Sequence, residues 1–220
     1  SDLFSGIDDA QIDALLDDAL AKASDFETKY RGKIDSADLT AEVLFEAIQQ
    51  YESILVDMVK PICYSSLVFS ADTSKPENGA LYQYIQERQT EISVKLIFFD
   101  LELMAAKQEI IDRVLTAECI SEYKHFVIAS RMFSKYRLSE AEERILEETA
   151  NTGCRAFERL FDEVISSLEF TIVLDGETRT LNESEVLALL REPDREKRKA
   201  AASSLTAGLN TQAKVLTFIF

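Results

Sequence analysis

Residues 12–30, IDALLDDALAKASDFETKY, set the fold class. Ile12, Leu15, Leu16, Leu20, Ala23, Phe26 and Tyr30 recur at steps of three or four. A 3.6-residue period gathers such a set onto one stripe, so residues 8–31 are predicted to form one amphipathic helix, with Gly32 placed to end it. The same spacing continues through Leu39, Leu44, Ile48, Tyr51, Leu55 and Met58. Pro61 lacks an N–H and crowds the preceding turn, which predicts a break or kink there and a shorter helix over 61–70. ADTSKPENG, residues 71–79, clusters Asp, Ser, Asn, Pro and Gly without apolar periodicity and reads as a loop. A long helix is predicted over 80–116. Its run Leu96-Ile97-Phe98-Phe99 is apolar on several faces, as expected of a central helix. Another helix over 121–133 carries Tyr123, Phe126, Val127 and Met132.

Ser139-Glu140-Ala141-Glu142 is a capping box, in which the Ser hydroxyl accepts from a backbone N–H and Glu142 reaches back. The helix it opens is expected to continue through Phe157, Phe161 and Leu168, with Gly153 inside it marking a close crossing. Then the period switches. Phe170-Thr171-Ile172-Val173-Leu174 is β-branched and aromatic, Asp175-Gly176 is a favoured two-residue turn, and Thr178-Arg179-Thr180-Leu181 returns. Asn182, with Glu185 three residues on, caps a short helix to Leu190, and a last helix starts near Pro193-Asp194. The predicted fold is mainly α: a multi-helix bundle with one small β-hairpin near residues 169–181. The expected division is a helical lobe over 1–168 and a hairpin with two helices over 169–220.

With 220 residues the chain suits one large or two small domains. Its 6 Gly and 3 Pro are too few to punctuate an all-β sandwich. Forty acidic against 24 basic residues give a net charge of −16, which disfavours nucleic acid and anionic membrane surfaces as partners. No uninterrupted apolar stretch is read as a membrane span, and Ser1-Asp2-Leu3-Phe4 lacks the pattern of a signal peptide. Cys63, Cys119 and Cys154 are odd in number and far apart, so buried free thiols are expected, and with them a reducing, cytoplasmic location.

Candidate catalytic chemistry is sparse. His125 is the single histidine, with no cysteine at ligand spacing, and reads as a structural or surface residue. The pairs Asp8/Asp9, Asp17/Asp18, Glu142/Glu143 and Glu147/Glu148 are adjacent on helices and therefore diverge, which argues for solvated faces rather than an acid–base dyad. The basic stretch from Arg191 to Lys199 could take a peptide carboxylate or an acidic surface, while salt bridging to neighbouring helices is the simpler reading. No phosphate loop or nucleophile elbow occurs. Catalytic, cofactor-binding and metal-ligating residues are all expected to be absent from these residues.

Several stretches in order resemble a known family. They are YSSLVFSADTSKPENGALYQ (64–83), FFDLELM (98–104), YRLSEAEERIL (136–146), TGCRAFERLFDEVISSLEF (152–170) and LNESEVLALLREPDREKRKAAASSL (181–205). Together they are similar to the N-terminal region of the oligoendopeptidase F family of zinc metallopeptidases, relatives of thimet oligopeptidase. The resemblance implies a mostly helical, bowl-shaped enzyme with its active site in an internal cavity, the N-terminal part forming one wall. It further implies a C-terminal catalytic domain in which two His of an H-E-x-x-H motif and a later Glu bind zinc, the motif Glu activating water. This chain, without that motif, is expected to be inactive alone, with no cofactor of its own and Zn in the full-length parent. Its expected partners are that missing C-terminal domain and oligopeptide substrates. The apolar run Val215-Leu216-Thr217-Phe218-Ile219-Phe220 reads as surface awaiting the rest of a larger protein, a dimer interface being the alternative. The competing function class is an independent acidic helical module for interaction or scaffolding.

Overall fold

The computed structural model describes residues 3–220 and is mainly α with one two-stranded antiparallel sheet. It divides into two compact units: residues up to 71 with 77–151, and residues 72–76 with 152–220. The division falls at 151/152 rather than at the expected 168/169, because Ile165 and Leu168 pack with the hairpin residues Phe170, Ile172 and Leu174.

In the first unit, helix α1 (Ala10–Tyr30) starts at Asp9, whose carboxylate accepts from the Gln11 N–H at 2.9 Å. Of its predicted stripe, Ile12, Leu16, Ala23, Phe26 and Tyr30 are buried, Ala19 joins them, and Leu15 and Leu20 at the margins are half-buried. Gly32 takes φ +76°, the left-handed conformation that ends helices and that side chains with a Cβ resist.

Helix α2 (Ala41–Ala71) corrects the expected break at Pro61 and the separate helix over 61–70: one helix continues through the proline. Pro61 cannot donate to the Asp57 carbonyl, an omission costing about 3 kcal/mol in a helix interior. However, Met58, Pro61, Tyr64 and Phe69 are all buried along one face, and burial of large apolar side chains contributes about 1.5–3 kcal/mol each. Packing outweighs propensity here. The continuous helix is long and apolar enough, by length and composition, to cross a membrane. Its Leu44, Ile48, Ile54 and Met58 instead belong to the first unit's core.

The predicted 71–79 loop shrinks to residues 72–75. Helix α3 (Pro76–Ala105) begins at the proline, whose missing N–H is an orphan in a first turn anyway. Asn78 is buried and donates to the Val68 carbonyl at 3.2 Å, tying the start of α3 to the end of α2. The expected 80–116 helix breaks at Ala106-Lys107, where Lys107 turns extended before α4 (Gln108–Val114). That bend lets Ile110, Ile111 and Val114 join the core. A 3-10 turn over Glu118–Tyr123 leads into α5 (Lys124–Arg131), and Ser139 caps α6 (Glu140–Ala150) with the full reciprocal capping box.

Gly153 does not lie inside a helix, as expected from sequence, but separates α6 from α7 (Cys154–Ser166). In the second unit, strands β1 (Phe170–Leu174) and β2 (Glu177–Leu181) pair Phe170 with Leu181 through Leu174 with Glu177. Asp175 at φ 52° and Gly176 at φ 85° make the primed turn that matches strand twist. Asn182 and Glu185 form a capping box on α8 (Glu183–Leu189). The terminal helix is two helices, α9 (Arg195–Thr211) and α10 (Ala213–Ile219), interrupted at Gln212. β1 presents Phe170, Ile172 and Leu174 to a core completed by Val186 and Ala201. Ser204 donates to the Thr171 carbonyl at 2.7 Å, drawing α9 onto the strand.

The close crossing is at Gly208 of α9. A Cβ built there would sit 2.5 Å from two ring carbons of Phe170, which is itself 1% exposed and cannot swing away. Gly208→Ala should therefore lower stability by about 1–3 kcal/mol despite the better helix propensity of alanine. A fall in the urea midpoint at unchanged m-value checks it; a rise would refute the tight contact.

Candidate functional site

FFDLELM (98–104), one of the stretches that carried the resemblance, lies on α3 where the first unit is most densely packed. Phe98 and Phe99 flank the Phe26 ring at 5.6 and 5.3 Å, and Tyr51 of α2 lies 4.8 Å from Phe99. The Tyr51 hydroxyl donates to Asp100 at 3.1 Å. Burial pushes the Asp100 carboxyl above its ordinary range, an effect the Tyr51 hydrogen bond only partly offsets. Burial and the neighbouring carboxylate push the Tyr51 phenol far above its ordinary range. With the Tyr51 ring packed on Phe99 and its hydroxyl on Asp100, the pair ties α2 to α3. Above it, Ile48, Leu55, Phe126 and Tyr123 line a hollow of about 300 Å³, and the Tyr123 hydroxyl donates to Glu52 at 2.8 Å.

Glu102 acts over a longer range. Its two oxygens accept the N–H groups of Gly32 at 2.7 Å and Ile34 at 3.1 Å, clamping the chain that leaves α1. Arg113 of α4 completes the clamp by donating to the Ala37 and Leu39 carbonyls at 3.0 and 2.9 Å. Anion on N–H and cation on C=O thus fix both ends of the connection between α1 and α2. Sequence reasoning missed these roles, since nothing local marks a carboxylate that will meet backbone 70 positions away.

The residues weighed from sequence are scattered. His125 is exposed on α5, as a surface histidine would be. Glu142 serves the Ser139 cap at 2.8 Å, and the Glu143 carboxylate accepts the Leu138 N–H at 3.4 Å; neither carboxylate faces the other as a dyad. In the basic stretch, Lys197 pairs with Asp175 of the hairpin turn at 3.1 Å, while Arg198 donates to the carbonyls of Glu192 and Pro193. The stretch is thus used in part to fasten the second unit. Cys63, Cys119 and Cys154 form no disulfide, as expected, but are exposed, contrary to the buried reading. For Cys63 the cause is phase: it falls off the stripe of Met58, Pro61, Ser65 and Phe69 that α2 buries.

Among the described residues no three His, Cys, Asp or Glu side chains come together to hold a metal. With one imidazole, itself exposed, the donor set does not fit a hydrolytic zinc, and no step through a metal is assigned to these residues.

What these elements define is a helical framework with a small β-hairpin unit. Residues 102–170 match the family model of the N-terminal part of peptidase family M3, described as oligopeptidase F. The fold is similar to oligoendopeptidase-F from Enterococcus faecium, at 20% identity and a TM-score of 0.74, over 95% of this chain and 41% of that one. It is also similar to a protein from Chlamydophila abortus described as a candidate peptidase, at 18% identity and a TM-score of 0.51, over 92% of this chain and 35% of that one. The chain thus spans about two-fifths of the Enterococcus faecium protein and about a third of the Chlamydophila abortus one. No curated protein sequence matches it. Residues 102–170 thus carry the sequence pattern of that family model, and the fold of the chain is similar to part of an oligoendopeptidase-F, in keeping with the resemblance.

Two outcomes follow from this geometry. Asp100→Asn keeps an acceptor for Tyr51 and removes a buried charge. Because the folded-state pKa of Asp100 is raised, the native protein holds its proton more tightly than the unfolded chain, and stability falls as pH rises from the ordinary aspartate range through the raised value. The variant should be more stable than the parent at neutral pH, with the gap closing in acid; equal stability at pH 7 would refute the buried-charge penalty. Separately, all three thiols should react with a disulfide reagent in the native protein without denaturant, and fewer than three fast equivalents would contradict their exposure.

Proposed function

We propose that this chain is the non-catalytic N-terminal lobe of a zinc-dependent oligoendopeptidase that hydrolyses peptide bonds in short peptides, and that its helices form a wall of the substrate cavity. One coincidence supports the reading above all. A family match over 102–170 falls inside a fold likeness that spans nearly this whole chain yet under half of the longer enzyme. Glu102, Asp100 and the Ser139 cap, all within the quoted stretches, act structurally, which suits a supporting lobe. Zinc, its two histidines and the water-activating glutamate would come from the remainder of the parent. A wall of packed helices facing that site would select substrates by length, through sterics, and not by reading side chains. Three cysteines outside any disulfide support a reducing, cytoplasmic setting.

The test uses the parent encoded by the reading frame continued past Phe220, beside the 220-residue chain. The parent should cleave a quenched short peptide, lose activity to a chelator and spare folded proteins, while the short chain should be inert. A frame without H-E-x-x-H, or hydrolysis by the short chain, overturns the assignment and favours an acidic interaction module.

A further inference from the structure

A 14-residue run, Lys124 to Arg137, breaks the charge pattern of the chain. It holds four cations and no carboxylate in a protein with 40 acidic residues and a net charge of −16. Many cations elsewhere are spent in ion pairs with that excess, as Lys22, Lys29, Arg88 and Lys95 are. Among the described residues, Lys124, Lys135 and Arg137 form no ion pair, and all three are exposed. The Lys135 ammonium lies 4.7 Å over its neighbour Tyr136.

The same run walls a groove of about 510 Å³. Lys124, Ile128, Arg131 and Met132 stand at i, i+4, i+7 and i+8 and so share one face of α5 and its extension. Ile111 of α4 and Leu115 just after it line the opposite side, with Asp112, whose carboxylate accepts from Gln108 at 2.8 Å, as the groove's one acidic residue among those described. Arg131 is held in place by the Leu103 carbonyl and by Gln108 at 3.2 Å, so its planar fork is oriented before anything binds. About two helical turns separate it from Lys124 along α5, on the order of 10 Å. Downstream the surface stays apolar and open: Met132 is 71% exposed, Phe133 65% and Tyr136 68%. Large side chains left in water beside unpaired cations mark an interaction surface better than a solvated face does.

We infer that the α4–α5 groove and the adjoining 132–137 segment bind an acidic, amphipathic peptide segment, its apolar side chains on Ile128 and Met132 and its carboxylates toward Lys124, Lys135 and Arg137. Charge complementarity selects this occupant. A neutral apolar segment leaves the cations unused, and a basic one is repelled by them locally. The surface lies wholly within the first unit and does not depend on the parent being a peptidase, so it can be tested on this chain.

The experiment titrates the 220-residue protein with a fluorescein-labelled peptide, acetyl-Glu-Leu-Leu-Glu-Asp-amide, and with its Gln/Asn counterpart. The acidic peptide should bind about tenfold more tightly, by the sum of a few exposed ion pairs, and should weaken as salt rises. Lys124→Glu combined with Lys135→Glu should abolish the preference, and Met132→Ser should weaken both peptides, with circular dichroism unchanged because all three positions are exposed. Equal binding of the two peptides, or none at millimolar concentration, overturns the inference. A reversible dimer in sedimentation that the charge reversal dissolves also overturns it, since the occupant would then be a second copy.

Discussion

The first unit depends on the ring of Phe26. Tyr30, Tyr51, Phe98 and Phe99 surround it with centroids between 4.9 and 6.1 Å away, so three helices meet on one side chain. The arrangements are tilted or edge-on, as ring quadrupoles prefer. Tilted rings cannot slide past one another without losing contact on several sides at once. This fixes the relative depth of α1, α2 and α3, and it gives the largely buried carboxylate of Asp100 its role: it accepts from the hydroxyl of Tyr51 and so anchors the ring that α2 brings to the cluster.

Charge then settles what packing leaves open. The acidic flank of α1 is met by α3, Arg88 reaching Asp17 at 2.7 Å and Lys95 reaching Glu27 at 3.1 Å. Such exposed pairs contribute little individually. The Glu102 and Arg113 clamp matters more, because it satisfies backbone groups of a connection that has no regular partner of its own. The consequence for function is a framework whose polar residues are spent on holding shape. The main surplus of unpaired positive charge within the first unit is the run from Lys124 to Arg137, where the fold leaves large apolar side chains exposed as well.

The second unit reaches its order differently. Its hairpin is local, set by Asp175-Gly176 and by alternation along β1. Its attachment to α9 is not local: it needs a residue without a side chain at Gly208 so that the Phe170 ring can lie against the helix backbone. Sequence reasoning placed the close crossing at Gly153, since a glycine inside a helical pattern is equally suggestive wherever it falls. Gly153 instead parts two helices.

What the chain's own order of residues determined was everything of short range: the stripe of α1, both capping boxes, the hairpin with its turn, and the family likeness carried by the quoted stretches. These follow from contacts within a few residues, where spacing and residue type are sufficient cause. Tertiary structure alone decided that α2 would pass through Pro61, that the helix after residue 80 would bend at Ala106, and that the three thiols would face solvent. It also decided that Glu102 would hold backbone far from it in sequence. In each of these the energy comes from partners distant along the chain, whose burial or hydrogen bonding overrides a local preference worth only a few kcal/mol.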